Sequence, residues 1–424
     1  MTPSQLRDTA RSSIRAGDRG NAARLCETLV AIEKNDPFAN SFLAFEAMQR
    51  GDFSVAVDHG QAACAGNPGD PTLWQNLGLA HFAAGEVEQA IAAYDQGLQC
   101  DSAHGLLWLY KGQALQRADR DWSARCFVRA FEADPRLAQA YRMNNVPAAI
   151  RDLSRIANEV VRDVQFEQQK AVMENALSMP FARMPDRLQS FLRIFHGLEP
   201  NDFGGTSQRP DFQYFPQLTA RPFWSSECFP WVQQVESALP MLREEAQTAI
   251  TRTLTPYVGD HYQADPTWSA LAGRQQWSSF HLYKSGRRIG EHCELCPRTD
   301  ALLQSLPLAT IPHHAPEAFF SVLQPRTRIP PHYGISNIKL TVHMPLIVPD
   351  GCGIRVDEEQ RDWHTGQCMV FDDSFLHEAW NDSDDVRIVL IFEVWNPDLS
   401  DEEQAAVAAV TQARHQWLEA ARGD

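Results

Sequence analysis

A 34-residue period in the first third of the chain constrains its fold more than any other feature. Trp74 and Trp108 are 34 residues apart, as are Gly78 and Gly112. Ala56, Ala90 and Ala124 share one register, and Ala22 continues it backwards. Pro37, Pro68, Pro71 and Pro135 fall near the junctions between units. Small residues at fixed places let two helices cross closely, while prolines mark helix starts and stops. A unit of this length holds one helix pair, which cannot bury its apolar stripe alone and must stack on its neighbour. The period predicts a quasi-one-dimensional stack of about four such pairs over residues 3–138, the first of them degenerate.

The clearest copy is DPTLWQNLGLAHFAAGEVEQAIAAYDQGL, with Trp74, Leu77, Gly78, Ala90 and Tyr94 at set spacing. It resembles a tetratricopeptide repeat. The resemblance implies an α-helical repeat solenoid over residues 1–140. It also admits a protein or peptide partner, although the motif itself specifies only packing. The competing readings are a plain helical bundle, or a repeat stack that only supports the C-terminal domain. Residues 141–205 remain helical in pattern (IRDLSRIANEVVRDVQFEQQKAVMENAL) and read as a linker or cap.

Near residue 201 the character changes to dense Gly, Pro and aromatics, as in DFGGTSQRPDFQYFPQLTARPFW. One amphipathic helix follows, around WVQQVESALPMLREEAQTAI. From about residue 274 short β-rich runs separated by turns dominate: AFFSVL, NIKLTVHMPLIV, GIRV, QCMVF and VRIVLIFEVW. Several short strands at close spacing predict a sandwich or barrel, so the whole chain reads as multidomain α + β. The tail DEEQAAVAAVTQARHQWLEAA reads as a last helix.

The chain has 424 residues, 44% of them hydrophobic and 22% charged, which suits two or three globular domains. A net charge of −16 argues against a broad nucleic-acid surface, because phosphate binding needs clustered Lys and Arg. The first twenty residues have no apolar run like a secretory signal, and no stretch reaches membrane-spanning length. A soluble cytoplasmic protein, with neither nucleic acid nor membrane as partner, is the expectation. The nine cysteines are scattered, and only Cys293 and Cys296 form a close pair. No second Cys or His pair has the spacing to complete a zinc site with them, and their role stays open.

Strand periodicity sorts the side chains of the C-terminal part. Ile338, Leu340, Val342 and Met344 form one face of a strand, and Lys339, Thr341 and His343 the other. In the last strand Arg387, Val389, Ile391 and Glu393 share a face, opposite Ile388, Leu390, Phe392 and Val394. Phe319, Ser321 and Leu323 lie together in an earlier strand. If the polar faces point inward, one cavity collects Ser321, Thr341, His343 and Arg387. His332 (IPPHYG) and His377 (FDDSFLHEAW) sit where strands meet turns. A lone strand histidine is more often a hydrogen-bonded core residue than a ligand. Two histidines at the mouth of a barrel with an inward Arg suit iron(II) and a carboxylate gripped by the guanidinium fork.

From roughly residue 210 to 400 the chain resembles the aspartyl/asparaginyl β-hydroxylase family of oxygenases. The carrying segments are YFPQLTARPFW, WSSFHLY, CELCPRT, FFSVLQPRTRIPPHYG, HMPLIVPDGCGIRV and FDDSFLHEAWNDSDDVRIVLIFEVWNPDL. The resemblance implies an oxygenase domain over residues 206–424, built as a double-stranded β-helix (jelly-roll) barrel with flanking helices. It implies Fe(II), 2-oxoglutarate as cosubstrate and O2. Matched position by position, His332 and His377 are the implied metal ligands. Ser321, His343 and Arg387 are the implied cosubstrate residues, and Trp277 lines the same pocket. Arg387 follows His377 by ten residues, the usual cosubstrate spacing in such oxygenases.

His332-Tyr333-Gly334 is H-x-G where most related oxygenases have H-x-D, so the third protein ligand is absent. One position departs from the family. Thr341 stands where the family commonly has an Arg that pairs with a substrate carboxylate, and a Thr cannot supply that charge. Lys339 on the same face is the candidate substitute, and Arg355 is a candidate contact at the mouth. Asp372 and Asp373 read as the turn before His377, with orientation of a ligand as the alternative. The expected reaction is hydroxylation of an unactivated C–H, of the Asp/Asn β-carbon type in a peptide or protein. The alternatives are a free amino acid or a lipid acyl chain as substrate, a halogenase that places halide where the carboxylate is missing, or a silent repeat scaffold.

Overall fold

A computed structural model describes residues 1–423, in two compact units. One is Met1–Gln165 with the chain end from Trp417, and the other is Phe166–Gln416.

In the first unit the helices are α1 (Pro3–Arg15), α2 (Arg19–Ile32), α3 (Pro37–Arg50), α4 (Phe53–Gly66), α5 (Pro71–Ala83), α6 (Val87–Cys100), α7 (Gly105–Leu115) and α8 (Arg120–Ala133). They pair α1 with α2, α3 with α4, α5 with α6 and α7 with α8, and each pair packs on the next. The first helix of each pair begins at residue 3, 37, 71 or 105, which is the 34-residue period written in three dimensions. Proline opens α1, α3 and α5, where its missing N–H has no helical partner to lose. The side chains of Thr2, Asp18, Asp36, Asp70 and Asp119 accept from backbone N–H groups of the first turns they cap. The recurrent glycines are steric: a Cβ at Gly78 would overlap the Tyr94 ring, and one at Gly112 the Phe127 ring. Tyr94 and Phe127 are both almost fully buried, so these glycines set the distance between paired helices.

The second unit holds the strands β1 (Phe223–Trp224), β2 (Thr255–Pro256), β3 (Trp277–Lys284), β4 (Arg287–Arg288), β5 (Ala318–Leu323), β6 (Thr327–His332), β7 (Lys339–Ile347), β8 (Cys352–Val356), β9 (Glu359–Asp362), β10 (Met369–Phe371), β11 (His377–Asn381) and β12 (Arg387–Trp395). An eight-stranded sheet runs β1-β10-β7-β12-β5-β3-β2, with β4 beside β3, and a four-stranded sheet runs β6-β11-β8-β9. Every pairing of named strands is antiparallel.

The two faces of the larger sheet differ as strand alternation predicts. Phe280, Phe320, Val322, Leu340, Val342, Met344, Leu390 and Phe392 form one core, which takes in residues of the helices Val232–Ser237, Leu239–Ile250, Gly290–Leu295 and Pro297–Gln304. Burying each such large side chain stabilises the fold by about 1.5–3 kcal/mol. The other face packs on the smaller sheet: Trp277, Leu323 and Phe371 cluster with Ile329, Ile354, Val356 and Ala379. This second core closes one part of the gap between the sheets. The polar residues of β7 and β12 lie in the rest.

Candidate active site

A cavity of about 490 Å³ opens between the sheets. Its wall includes His332 and His377 from the smaller sheet. Trp277, Lys339, Thr341, His343, Arg387 and Glu393 line it from the larger one. The alternation of β7 and β12 thus delivers the inward set expected from sequence.

His332 ends β6 and His377 begins β11, directly opposite each other in the register. Their ring centroids are 4.1 Å apart. Each ring is held by a carbonyl two residues upstream. His332 Nδ1 is 2.9 Å from the Pro330 oxygen, and His377 Nδ1 is 3.0 Å from that of Phe375. A carbonyl only accepts, so both Nδ1 atoms carry a proton and donate, and in the neutral ring this leaves the Nε2 lone pair free. Burial, then the neighbouring His377, lowers the His332 pKa to about 3. Burial also lowers that of His377. Both rings are therefore neutral, the form in which imidazole binds a metal.

Gly334 explains the H-x-G sequence sterically. A Cβ there would overlap the carboxyl group of Asp373, which fills the space where a side chain at 334 would start. Asp373 Oδ2 accepts from Thr341 Oγ1 at 3.1 Å and lies 3.5 Å from Lys339 Nζ, while its Oδ1 is buried without a partner. The adjacent Asp372 behaves as a turn residue. It accepts from the Ser374 backbone N–H at 2.9 Å and from Gln208 Nε2 at 2.7 Å, and burial raises its pKa to about 7.

At the other end of the cavity Arg387 is buried with no carboxylate beside it. Its Nη2 donates to Ser321 Oγ at 2.9 Å, and Trp277 Nε1 donates to the same oxygen at 3.1 Å. Its Nε and Nη1 have no partner, nor has the buried Nδ1 of His343. The Trp363 ring lies 4.8 Å from the guanidinium carbon. Burial lowers the Arg387 pKa to about 10, so the group stays charged near neutrality. A buried guanidinium with two idle donors in a fixed fork is built to receive an anion. Ser321 is fully buried behind Arg387 and fixes its orientation.

Lys339 sits beside acids instead. Its Nζ lies 2.5 Å from Glu393 Oε1 and 3.5 Å from Asp373 Oδ2. Burial alone would lower its pKa, but these two carboxylates outweigh it and raise the value. Arg355 stands apart: its guanidinium pairs with Glu378 at 2.5 Å, and it is absent from the cavity wall. Sequence reasoning did not assign Tyr257, Trp268, Glu317 or Asp211, which also line the cavity. Trp268 meets His332 edge-on at 4.8 Å. Tyr257, Trp268 and Asp211 lie outside the long strands, where alternation gives no signal. Cys293 and Cys296 are buried free thiols under the opposite face of the larger sheet.

Residues 236–397 match the family model described as aspartyl/asparaginyl beta-hydroxylase. This part of the chain is similar to that family. The human aspartyl/asparaginyl beta-hydroxylase is 29% identical over 197 residues, covering 46% of this chain and 25% of that one. The human aspartate beta-hydroxylase domain-containing protein 2 is 31% identical over 207 residues, covering 47% and 54%. The ornithine lipid ester-linked acyl 2-hydroxylase of Rhizobium tropici is 30% identical over 186 residues, covering 43% and 63%. The matched stretch thus spans between a quarter and just under two thirds of these relatives. Among solved structures, MamA protein is similar at 15% identity with a TM-score of 0.32, covering 38% of this chain and 85% of that one. A thermophilic TPR protein from Thermus thermophilus is similar at 18% identity with a TM-score of 0.28, covering 38% and 91%. No helix among the described residues is long and apolar enough to cross a membrane.

Proposed function

We propose that the second unit is an iron(II)- and 2-oxoglutarate-dependent hydroxylase, with the metal on His332 and His377. The observation that carries this is the pairing, in one cavity, of two neutral imidazoles with free Nε2 atoms and a buried Arg387 with two unfilled donors. The donor set fits the groups. Two imidazoles and no third side-chain ligand leave several metal positions open for cosubstrate and dioxygen. Arg387, oriented from behind by Ser321, would take the far carboxylate of 2-oxoglutarate, with His343 and Trp277 along its length.

When bound, iron(II) and 2-oxoglutarate supply the oxidising power for dioxygen to attack an unactivated C–H bond. The balance is one O2, one 2-oxoglutarate and one C–H consumed. One oxygen atom enters the new C–OH, the other enters succinate, and carbon dioxide leaves. The protein's own residues do the positioning. Burial keeps both imidazoles neutral, the carbonyls of Pro330 and Phe375 aim them by fixing the Nδ1–H tautomer, Arg387 and Ser321 fix the cosubstrate's length along the cavity, and the aromatic wall excludes water.

The names of the relatives carry two substrate chemistries, an aspartyl or asparaginyl residue and a lipid acyl chain. Both are hydroxylations at carbon, and that shared reaction is the proposed activity. The test is succinate formation from 2-oxoglutarate by the full chain with iron(II) and oxygen. His332→Ala and His377→Ala each abolish it while circular dichroism stays that of the wild type. Turnover at the wild-type rate in either variant contradicts the ligand assignment.

A further inference from the structure

The half of the cavity away from Arg387 has an unusual charge for a site that receives a carboxylate. Four carboxylates line it, Asp211, Glu317, Asp373 and Glu393, against two ammonium groups, Lys284 and Lys339, a formal charge of −2. Lys284 stands at the exposed end of β3. Among the described residues Lys339 is the only buried cation of that half, and it already contacts both Glu393 and Asp373. A substrate carboxylate drawn to Lys339 would therefore have to enter beside the buried Glu393 and the partly buried Asp373. The hydroxyl of Thr341 offers no relief, since it donates to Asp373.

The remaining groups favour the opposite charge. Asp373 Oδ1 is buried with no donor, and such an atom carries the full desolvation penalty until a donor reaches it. Glu317 is held by His281 at 3.1 Å and keeps 23% of its side chain exposed. Between these acids runs an aromatic wall. Tyr257 stacks on Trp277 at 4.0 Å and on Phe319 at 5.2 Å, and remains 38% exposed. Aromatic faces beside carboxylates hold ammonium and guanidinium groups through ring quadrupole and Coulomb attraction together.

We propose that the group presented to His332 and His377 belongs to a cationic side chain, an ammonium or guanidinium carrier, and that a carboxylate side chain is disfavoured. This rests on the hydroxylase reading of the site and names its substrate class.

The test uses the full chain, held without oxygen in iron(II) and 2-oxoglutarate so that no turnover occurs. Capped fluorescent pentapeptides with alanine at every other place carry Lys, Arg, Asn or Asp at the centre, and anisotropy reads their affinity. The lysyl or arginyl peptide binds about tenfold or more tightly than the aspartyl one, with the asparaginyl peptide between them. Glu317→Gln narrows that preference severalfold. Free lysine or arginine that displaces the peptide at lower concentration than free aspartate supports the same charge selection. Equal or tighter binding of the aspartyl peptide overturns the inference, as does a failure of both basic peptides to bind. Admitting oxygen separates the two readings. Aspartyl preference with consumption of 2-oxoglutarate sinks the charge inference and leaves the hydroxylase standing. Basic preference without any consumption sinks the hydroxylase and leaves the charge inference.

Discussion

Arg387 at the start of β12 and Lys339 at the start of β7 are each 1% exposed, at opposite ends of two paired antiparallel strands. Lys339 has Glu393 at 2.5 Å, whereas Arg387 has a serine and two idle donors. At one end of the cavity the cation is already paired, and at the other it waits for an anion. A folded chain keeps an unpaired buried cation only at a cost of several kcal/mol, because desolvation is not offset. That cost is expected where a ligand supplies the missing charge. The same sheet thus holds a structural cation and a binding cation, told apart by partners rather than by burial.

The sharpest way to break this comparison is to replace both cations by methionine and melt the protein without ligands. Lys339→Met strands the buried Glu393 and removes a partner of the partly buried Asp373, and is expected to lower stability by about 3–5 kcal/mol. Arg387→Met removes a buried charge that has no acid partner, and leaves Tm unchanged or raises it. Similar losses in the two variants would erase the distinction.

Next in size is Gly334. If the Asp373 carboxyl fills the place of a side chain at 334, Gly334→Ala overpacks that spot and destabilises by roughly 1–3 kcal/mol. Asp373→Gly in the same chain should recover most of the loss, since it empties the space. A double variant as unstable as the sum of both singles contradicts the exchange of space.

The smallest expected effect sharpens the substrate end. Thr341→Arg places a cation beside Asp373 and should shift preference toward an aspartyl peptide by roughly tenfold, or about 1.4 kcal/mol. Competition between aspartyl and lysyl peptides reads the shift. An unchanged ratio means position 341 does not face the substrate.

Much of this was legible in the sequence because it depends on period. The repeat of 34 fixed where the helix pairs begin, and Gly78 and Gly112 proved to be the crossings it implied. Alternation alone placed Lys339, Thr341, His343, Arg387 and Glu393 on one wall. Contacts between elements distant in sequence were not legible. Glu393 was visible on the inward face, but its pairing with Lys339 joins residues on two strands. Asp373 read as a turn residue beside Asp372. Only the folded chain separates them, since Asp372 closes the turn while Asp373 meets Gly334 and Thr341. Arg355 looked suited to the mouth, yet its face of β8 turns it to Glu378 on β11.

The central claim is that the idle donors of Arg387 serve a carboxylate brought to the two histidines. Calorimetric titration of the full chain with 2-oxoglutarate, without oxygen and with or without iron(II), tests it most directly. Binding is expected to need iron(II), and Arg387→Ala to weaken it by about 2–5 kcal/mol, a factor of roughly thirty to several thousand. Binding that is equally tight without the metal, or in Arg387→Ala, would contradict the account.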